Sequence, residues 1–202
     1  MTVSDIQTPI KQFSGSCERN QQPLLEQLSH LFKDRQRVLE IGSGSGQHAV
    51  FFAKHLSHVD WHASDAKTNH ASINAWIEEF PSHNLQSPIE FLFGQQPWPE
   101  IAMDAIFTAN TTHIMQKHHA KQMMELIGTN LQKGGIFCQY GPFNVDGEYT
   151  SEGNRAFDLH LENEGCGGIR DINELTEWAT GLSLIEKITM PANNFLLVWK
   201  SC

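Results

Sequence analysis

Long apolar runs are missing. Nowhere do about 18 apolar residues follow one another, which argues against a helical membrane span. Cysteine is scarce and scattered: Cys17, Cys138, Cys166 and Cys202 form no C-x-x-C pair. That argues against a zinc ribbon, a thioredoxin-type motif or a disulfide scaffold, and the thiols read as reduced side chains. Positive charge is in deficit, with 14 Lys and Arg against 23 Asp and Glu, a net charge of −9. Duplexes and membrane leaflets are held largely through Lys and Arg, so neither nucleic acid nor membrane is an expected partner, a local basic patch aside. The stretch Met1 to Ile10 lacks the basic start and apolar core of a signal peptide. The expected location is cytoplasmic. No repeat or low-complexity linker divides the 202 residues, so one domain spanning 1–202 is expected.

What is present is an alternation of short apolar runs and helical periods. After a helical lead-in (1–35), whose helix is expected to open at Pro23 and carries Leu24, Leu25, Leu28, Leu31 and Phe32 on one stripe, come Val38–Ile41 as a strand and Gln47 to about Leu56 as a helix. Val59–Ala63, Ile89–Phe93, Asp104–Ala109 and Ile136–Tyr140 read as further strands. Helices are expected over Asn69–Phe80, stopped by Pro81, and over about Lys117–Asn130, where Ala120, Met123, Met124 and Ile127 keep helical spacing. Gly141–Gly168 is the sizeable insertion and is expected to form a lid. Asp171-x-x-Glu174 reads as a capping box. Leu184–Ile188 and Phe195–Trp199 flank a connection too short for anything but an antiparallel pair. The fold class is α/β: helices on both faces of a mostly parallel sheet with an antiparallel end.

In such a sheet, ligands bind beyond the carboxyl ends of the strands, where the strand order switches. The first strand-to-helix turn here is Gly42-Ser-Gly-Ser-Gly46. Glycines allow a tight turn and close approach of a ligand, and the next helix presents its N–H groups. An ordinary tight turn would also use glycines. Asp65, at the end of the second strand, adds a carboxylate able to accept from both hydroxyls of a ribose, or to cap the next helix instead. Together they point to an adenosine-containing ligand. The dinucleotide pattern G-x-G-x-x-G needs a small residue where this chain has Gln47, and no G-x-x-x-x-G-K-[ST] occurs.

Glu40 completes E-x-G-x-G-x-G, which resembles motif I of the class I S-adenosylmethionine-dependent methyltransferases. Beyond it, Phe13 with Cys17-Glu-Arg-Asn20, Leu39-Glu-Ile-Gly-Ser-Gly-Ser-Gly-Gln-His48, Ala109-Asn-Thr-Thr-His-Ile114, Tyr140-Gly-Pro-Phe143, Phe157-Asp158, Gly168-Ile-Arg-Asp171 and Met190-Pro-Ala-Asn-Asn194 occur in order. Over essentially the whole chain this resembles the methyltransferase-like protein 26 family, a former domain of unknown function. The resemblance implies a Rossmann-like sheet of seven strands, its last strand inserted antiparallel beside the fifth. It implies S-adenosylmethionine as cofactor, with Glu40, Gly42, Ser43, Gly44 and Gly46 around the methionine part, Asp65 on the ribose and Gly94-Gln95 beside the adenine. The superfamily's frequent acid at that last place is absent. Asn110 would face the sulfonium. Arg19 and Asn20 are candidates to close over the cofactor from the lead-in, or equally a solvated start of its helix.

Methyl transfer from a sulfonium is in-line displacement, so the protein's work is mostly positioning. His113, just beyond the fourth strand, is the candidate catalytic base; framing the cofactor is the alternative. Tyr140, Asn144, Arg170, Asn193 and Asn194, polar groups that the resemblance would gather near the pocket, are the candidate substrate residues. Arg170 can equally form a structural ion pair, and the two asparagines can serve the hairpin turn. Eleven histidines raise a metal, but His48, His55, His58 and His62 straddle a helix, a loop and a strand, and no H-E-x-x-H occurs. No metal is expected. Asn110-Thr-Thr-His113 departs from the Asn/Asp-Pro-Pro-aromatic signature of nucleic-acid amino methylation. The expected acceptor is a small molecule, with a protein acceptor next, and the oligomeric state is left open. Two alternatives remain: a binder that holds S-adenosylmethionine without catalysis, and an NAD-dependent oxidoreductase.

Overall fold

The computed structural model describes residues 11–202. The signal-peptide question at Met1 to Ile10 and the first part of the lead-in lie outside the described residues. Helix α1 (Gly15–Leu31) is capped by Ser14, whose hydroxyl accepts from the Cys17 N–H. It begins earlier than the expected opening at Pro23, which lies inside it. Proline costs a helix one N–H and crowds the carbonyl four residues back. Here the Ser14 cap and the burial of Leu24 and Leu28 outweigh that cost, while the polar first turns give no hydrophobic period to read.

Seven strands follow: β1 (Arg37–Ile41), β2 (Asp60–Asp65), β3 (Ile89–Glu90), β4 (Ala105–Ala109), β5 (Ile136–Gly141), β6 (Leu182–Met190) and β7 (Asn194–Ser201). They form one sheet in the order β3-β2-β1-β4-β5-β7-β6. The first five pair in parallel, and β7 runs antiparallel to both β5 and β6. The helices that return the chain are α2 (Gln47–His55), α3 (His70–Glu79), α4 (Lys117–Asn130) and α6 (Ile172–Trp178). A further helix, α5 (Glu152–Asn163), occupies the expected lid insertion. β3 stops at Glu90 because the chain turns: the Gln96 side chain accepts from Leu92 N, and Gln95 N donates to Leu92 O.

Alternation along the strands sends neighbouring side chains to opposite faces. Val38 and Phe107 join Leu24, Phe52, Trp61 and Ile73 under α1–α3, whereas Leu39 and Ile106 join Met123, Phe137, Leu175 and Trp199 under α4 and α6. Both strand faces are therefore covered, as parallel strands require. The register aligns the carboxyl ends: Ile41 pairs with Ser64 and Thr108, and Ala109 pairs with Tyr140. Gly42, Asp65, Asn110 and Gly141 consequently stand along one edge. No described helix is long and apolar enough to cross a membrane.

Candidate functional site

The glycine turn is fastened to β2. Gly42 N and Ser43 N both donate to Ser64 O at 3.0 Å, and Ser64 N donates to Ser43 Oγ at 3.1 Å. Gly42 holds φ +73°, and a Cβ there would lie 2.7 Å from Thr111 Oγ1. Glycine is thus needed both for the left-handed backbone and for the close approach of the β4 tip. Gly46 caps α2 at φ +98°, where a Cβ would fall 2.7 Å from the Ile73 Cα. Gly44 faces open space.

Asp65 holds the turn from below. Its carboxylate accepts from Gly44 N at 2.6 Å, Ala66 N at 2.6 Å and Asn69 Nδ2 at 2.9 Å. Glu40 lies deeper, with Trp61 Nε1 and Ser43 Oγ each donating to its Oε2 at 3.0 Å. Burial drives its pKa up to about 7, opposed by those two hydrogen bonds and helped by the Asp65 charge. Gln47 explains its own size: its Oε1 accepts from Ser14 N and from Ser45 Oγ, tying the α1 cap to the glycine turn.

A second network crosses the edge from α1 to the β6–β7 hairpin. His48 Nε2 lies 2.7 Å from Asn20 Oδ1. Burial lowers the His48 pKa to about 4, so the ring is neutral. Asn194 Nδ2 donates to Tyr140 Oη at 3.1 Å, and Asn20 lies on the same wall. Burial raises the Tyr140 pKa against the Asn20 and Asn194 amides and the Arg19 charge, so it remains a phenol.

These groups line a cavity of about 930 Å³ at the carboxyl edge. Of the sequence candidates, Arg19, Asn20, Gly42, Ser43, Gly44, Asp65, Gln95, Asn110, His113, Tyr140 and Asn194 lie on its wall. Asn110 holds φ +56° and donates its N–H to Tyr140 O, which turns the chain out at the tip of β4. His113 is buried, and burial lowers its pKa to about 4.

Six candidates stand off the wall. Glu40 is taken up by Trp61 and Ser43, and Gly46 by its contact with α3. Gly94 faces Gln122 and His119 of α4. Asn144 is held by its backbone, donating to Arg170 O and accepting from Ile172 N. Arg170 donates to Gly167 O and Gly168 O and pairs with Glu174, the structural ion pair weighed above. Asn193 sits at φ +57° in the hairpin, a turn residue.

The wall also carries residues not singled out from the sequence: His48, Asn69, Phe91, Phe93, Asn154 and Phe157. His48 and Phe157 stood inside the quoted motifs. Asn154 had no such signal, because the face of α5 that it shares with Asp158 and Leu161 is mostly polar. Among the described residues, no group of three or more His, Cys, Asp or Glu could hold a metal ion.

A family model described as "Protein of unknown function (DUF938)" matches residues 11–201. Among solved structures, an O-methyltransferase family protein from Burkholderia thailandensis superposes with a TM-score of 0.80 at 15% identity, over 92% of this chain and 57% of its own. An O-methyltransferase family 2 protein from Planctomyces limnophilus, solved with apigenin, gives 0.73 at 14% identity over 90% and 62%. PigF, solved with SAH, gives 0.76 at 15% over 91% and 56%. This chain therefore spans less than two thirds of each of those proteins. The architecture is the Rossmann-like methyltransferase fold.

Proposed function

The chain belongs to the DUF938 family of proteins of unknown function, and we propose that it is an S-adenosylmethionine-dependent methyltransferase acting on a small molecule. The resemblance to the methyltransferase-like protein 26 family belongs to the same proposal. The observation that carries it is the 2.6 Å hydrogen bond from Gly44 N to Asp65. It joins an open glycine turn and a carboxylate from two neighbouring strands on the wall of one cavity. That cavity falls near the top of the roughly 300–1,000 Å³ range of small-molecule sites, with room for a nucleoside and a small acceptor together.

The residues fit the cofactor. Gly44 leaves space in front of the turn, and Asp65 keeps lone-pair capacity on Oδ2 for ribose hydroxyls. Phe91, Phe93 and Gln95 offer the apolar slot for adenine beyond β3. Arg19 and Asn20 close over the methionine end, with Glu40 acting through Ser43. Solved structures of this fold include the S-adenosylmethionine-dependent methyltransferase SibL and PigF with SAH, which supports this cofactor. When bound, S-adenosylmethionine would supply a sulfonium methyl group that bonds in line to an acceptor's lone pair as the carbon–sulfur bond breaks and S-adenosylhomocysteine leaves. Asn110 and Tyr140 border the middle of the cavity and orient the reacting ends. His113 is neutral at working pH and can take a hydrogen bond from an acceptor hydroxyl or amine, while its burial opposes full transfer of the proton to it.

The test is thermal unfolding with S-adenosylmethionine, S-adenosylhomocysteine, NAD or no ligand. At about 100 times the dissociation constant a ligand stabilises by roughly 2.7 kcal/mol, about 5–10 °C here. A rise with the two methionine nucleosides alone is expected. A rise with NAD alone would replace this function with the oxidoreductase alternative.

A further inference from the structure

The end of the cavity away from the glycine turn is built from other segments: His113–Met115 after β4, Asn154 and Phe157 on α5, and the Pro191–Asn194 hairpin. Two polar side chains there are more than nine-tenths buried yet keep unused hydrogen-bonding atoms. His113 is 6% exposed, and its ring has no hydrogen-bond partner among the described residues. Asn154 is 7% exposed. Its Nδ2 donates to Thr150 Oγ1 at 2.8 Å and to Asn193 O at 3.1 Å.

A backbone carbonyl only accepts, so the bond to Asn193 O fixes which amide atom is nitrogen and leaves Oδ1 as the free edge. Asn194 repeats the arrangement, donating from Nδ2 to Tyr140 Oη at 3.1 Å and to Pro191 O at 3.2 Å. Two amide oxygens and a neutral imidazole therefore face this space, a set suited to a ligand that brings a donor.

The surrounding wall is apolar. Phe157 meets the His113 ring edge-on, with centroids 5.3 Å apart, and remains 37% exposed. Ile114 beside it is 56% exposed. The one carboxylate among the described wall residues is Asp65, at the opposite end. The Asp158 carboxylate, whose charge acts on His113, is taken up by Tyr149 Oη and Ile169 N, so a cationic acceptor would find no free counter-charge, which is costly. Resting on the methyltransferase reading, we propose that this end is the acceptor subsite and takes a flat, uncharged aromatic molecule. Its O–H or N–H group donates to His113, Asn154 or Asn194 while its ring lies against Phe157.

The experiment has two stages. Calorimetry first measures S-adenosylhomocysteine binding. Then 2-naphthol, or 2-methoxynaphthalene, which lacks the donor, is titrated into the loaded protein. The expected result is 2-naphthol bound about tenfold more tightly than its ether. Phe157→Ala weakens 2-naphthol about tenfold, whereas Leu159→Ala, on the same helix but off the wall, changes nothing. S-adenosylhomocysteine affinity stays constant throughout. Equal binding of alcohol and ether, or equal effects of the two substitutions, overturns the acceptor subsite alone. Failure of S-adenosylhomocysteine to bind overturns the methyltransferase reading and this subsite with it.

Discussion

Glu40→Gln isolates one buried carboxyl whose protonation is coupled to folding. The Glu40 pKa is about 7 in the fold against an ordinary 4.5, chiefly through burial. Each pKa unit is worth 1.36 kcal/mol, so ionising this group costs about 3 kcal/mol more in the folded protein than in the unfolded chain. Below about pH 4.5 both states hold the proton and the penalty is absent. As pH rises toward 7 the unfolded chain releases its proton first, and stability falls. Above 7 the full penalty applies.

Glutamine mimics the protonated acid: its carbonyl oxygen can accept from Trp61 and Ser43 as Oε2 does. The wild type should therefore lose about 2–3 kcal/mol relative to Glu40→Gln between pH 5 and 8, roughly 4–12 °C in midpoint. Urea unfolding of both proteins at several pH values, followed by tryptophan fluorescence, measures the difference. A difference that stays constant across that range would refute the argument. Titrating groups away from Glu40 are shared and cancel in the comparison, leaving Glu40 and the neighbours that feel its charge, Asp65 and Cys17.

Asp65→Ala should weaken S-adenosylhomocysteine about 100-fold by calorimetry, through loss of charge-assisted hydrogen bonds; unchanged affinity would remove Asp65 from the ribose role. Gly46→Ala sets a Cβ 2.7 Å from the Ile73 backbone at φ +98° and should cost about 2–4 kcal/mol by denaturant titration. Gly44→Ala, whose Cβ meets nothing within 4 Å, should cost far less stability yet still impair cofactor binding. His113→Phe should slow methyl transfer by about 100-fold or more with cofactor affinity nearly unchanged. Equal losses in both would make His113 a cofactor frame instead.

Most of the sheet was legible because strand cores such as Val38–Ile41 and Ile136–Tyr140 are short apolar runs bounded by glycine or helix. The α5 helix was not legible, since its buried face is Asn154, Asp158 and Leu161 and carries little hydrophobic signal. Asp158 is buried because it accepts from Tyr149 Oη and Ile169 N, a long-range arrangement that spacing does not reveal. The glycine turn and Asp65 were readable because a local turn and a strand end place them. Arg170 and Asn144 were misplaced relative to the cavity for the opposite reason. Their surroundings are set by Gly167, Glu174 and Ile172, whose packing depends on the folded loop.

The most direct measurement is a two-dimensional amide NMR titration of the labelled protein with S-adenosylhomocysteine. The predicted result is saturable shifts at Gly42–Gly46, Asp65–Ala66 and Asn110–His113, with amides of Leu182–Leu184, at the end of β6 away from the cavity, unmoved. Saturation with no change in those three segments, or changes confined to other surfaces, would contradict the assignment of this edge as the cofactor site.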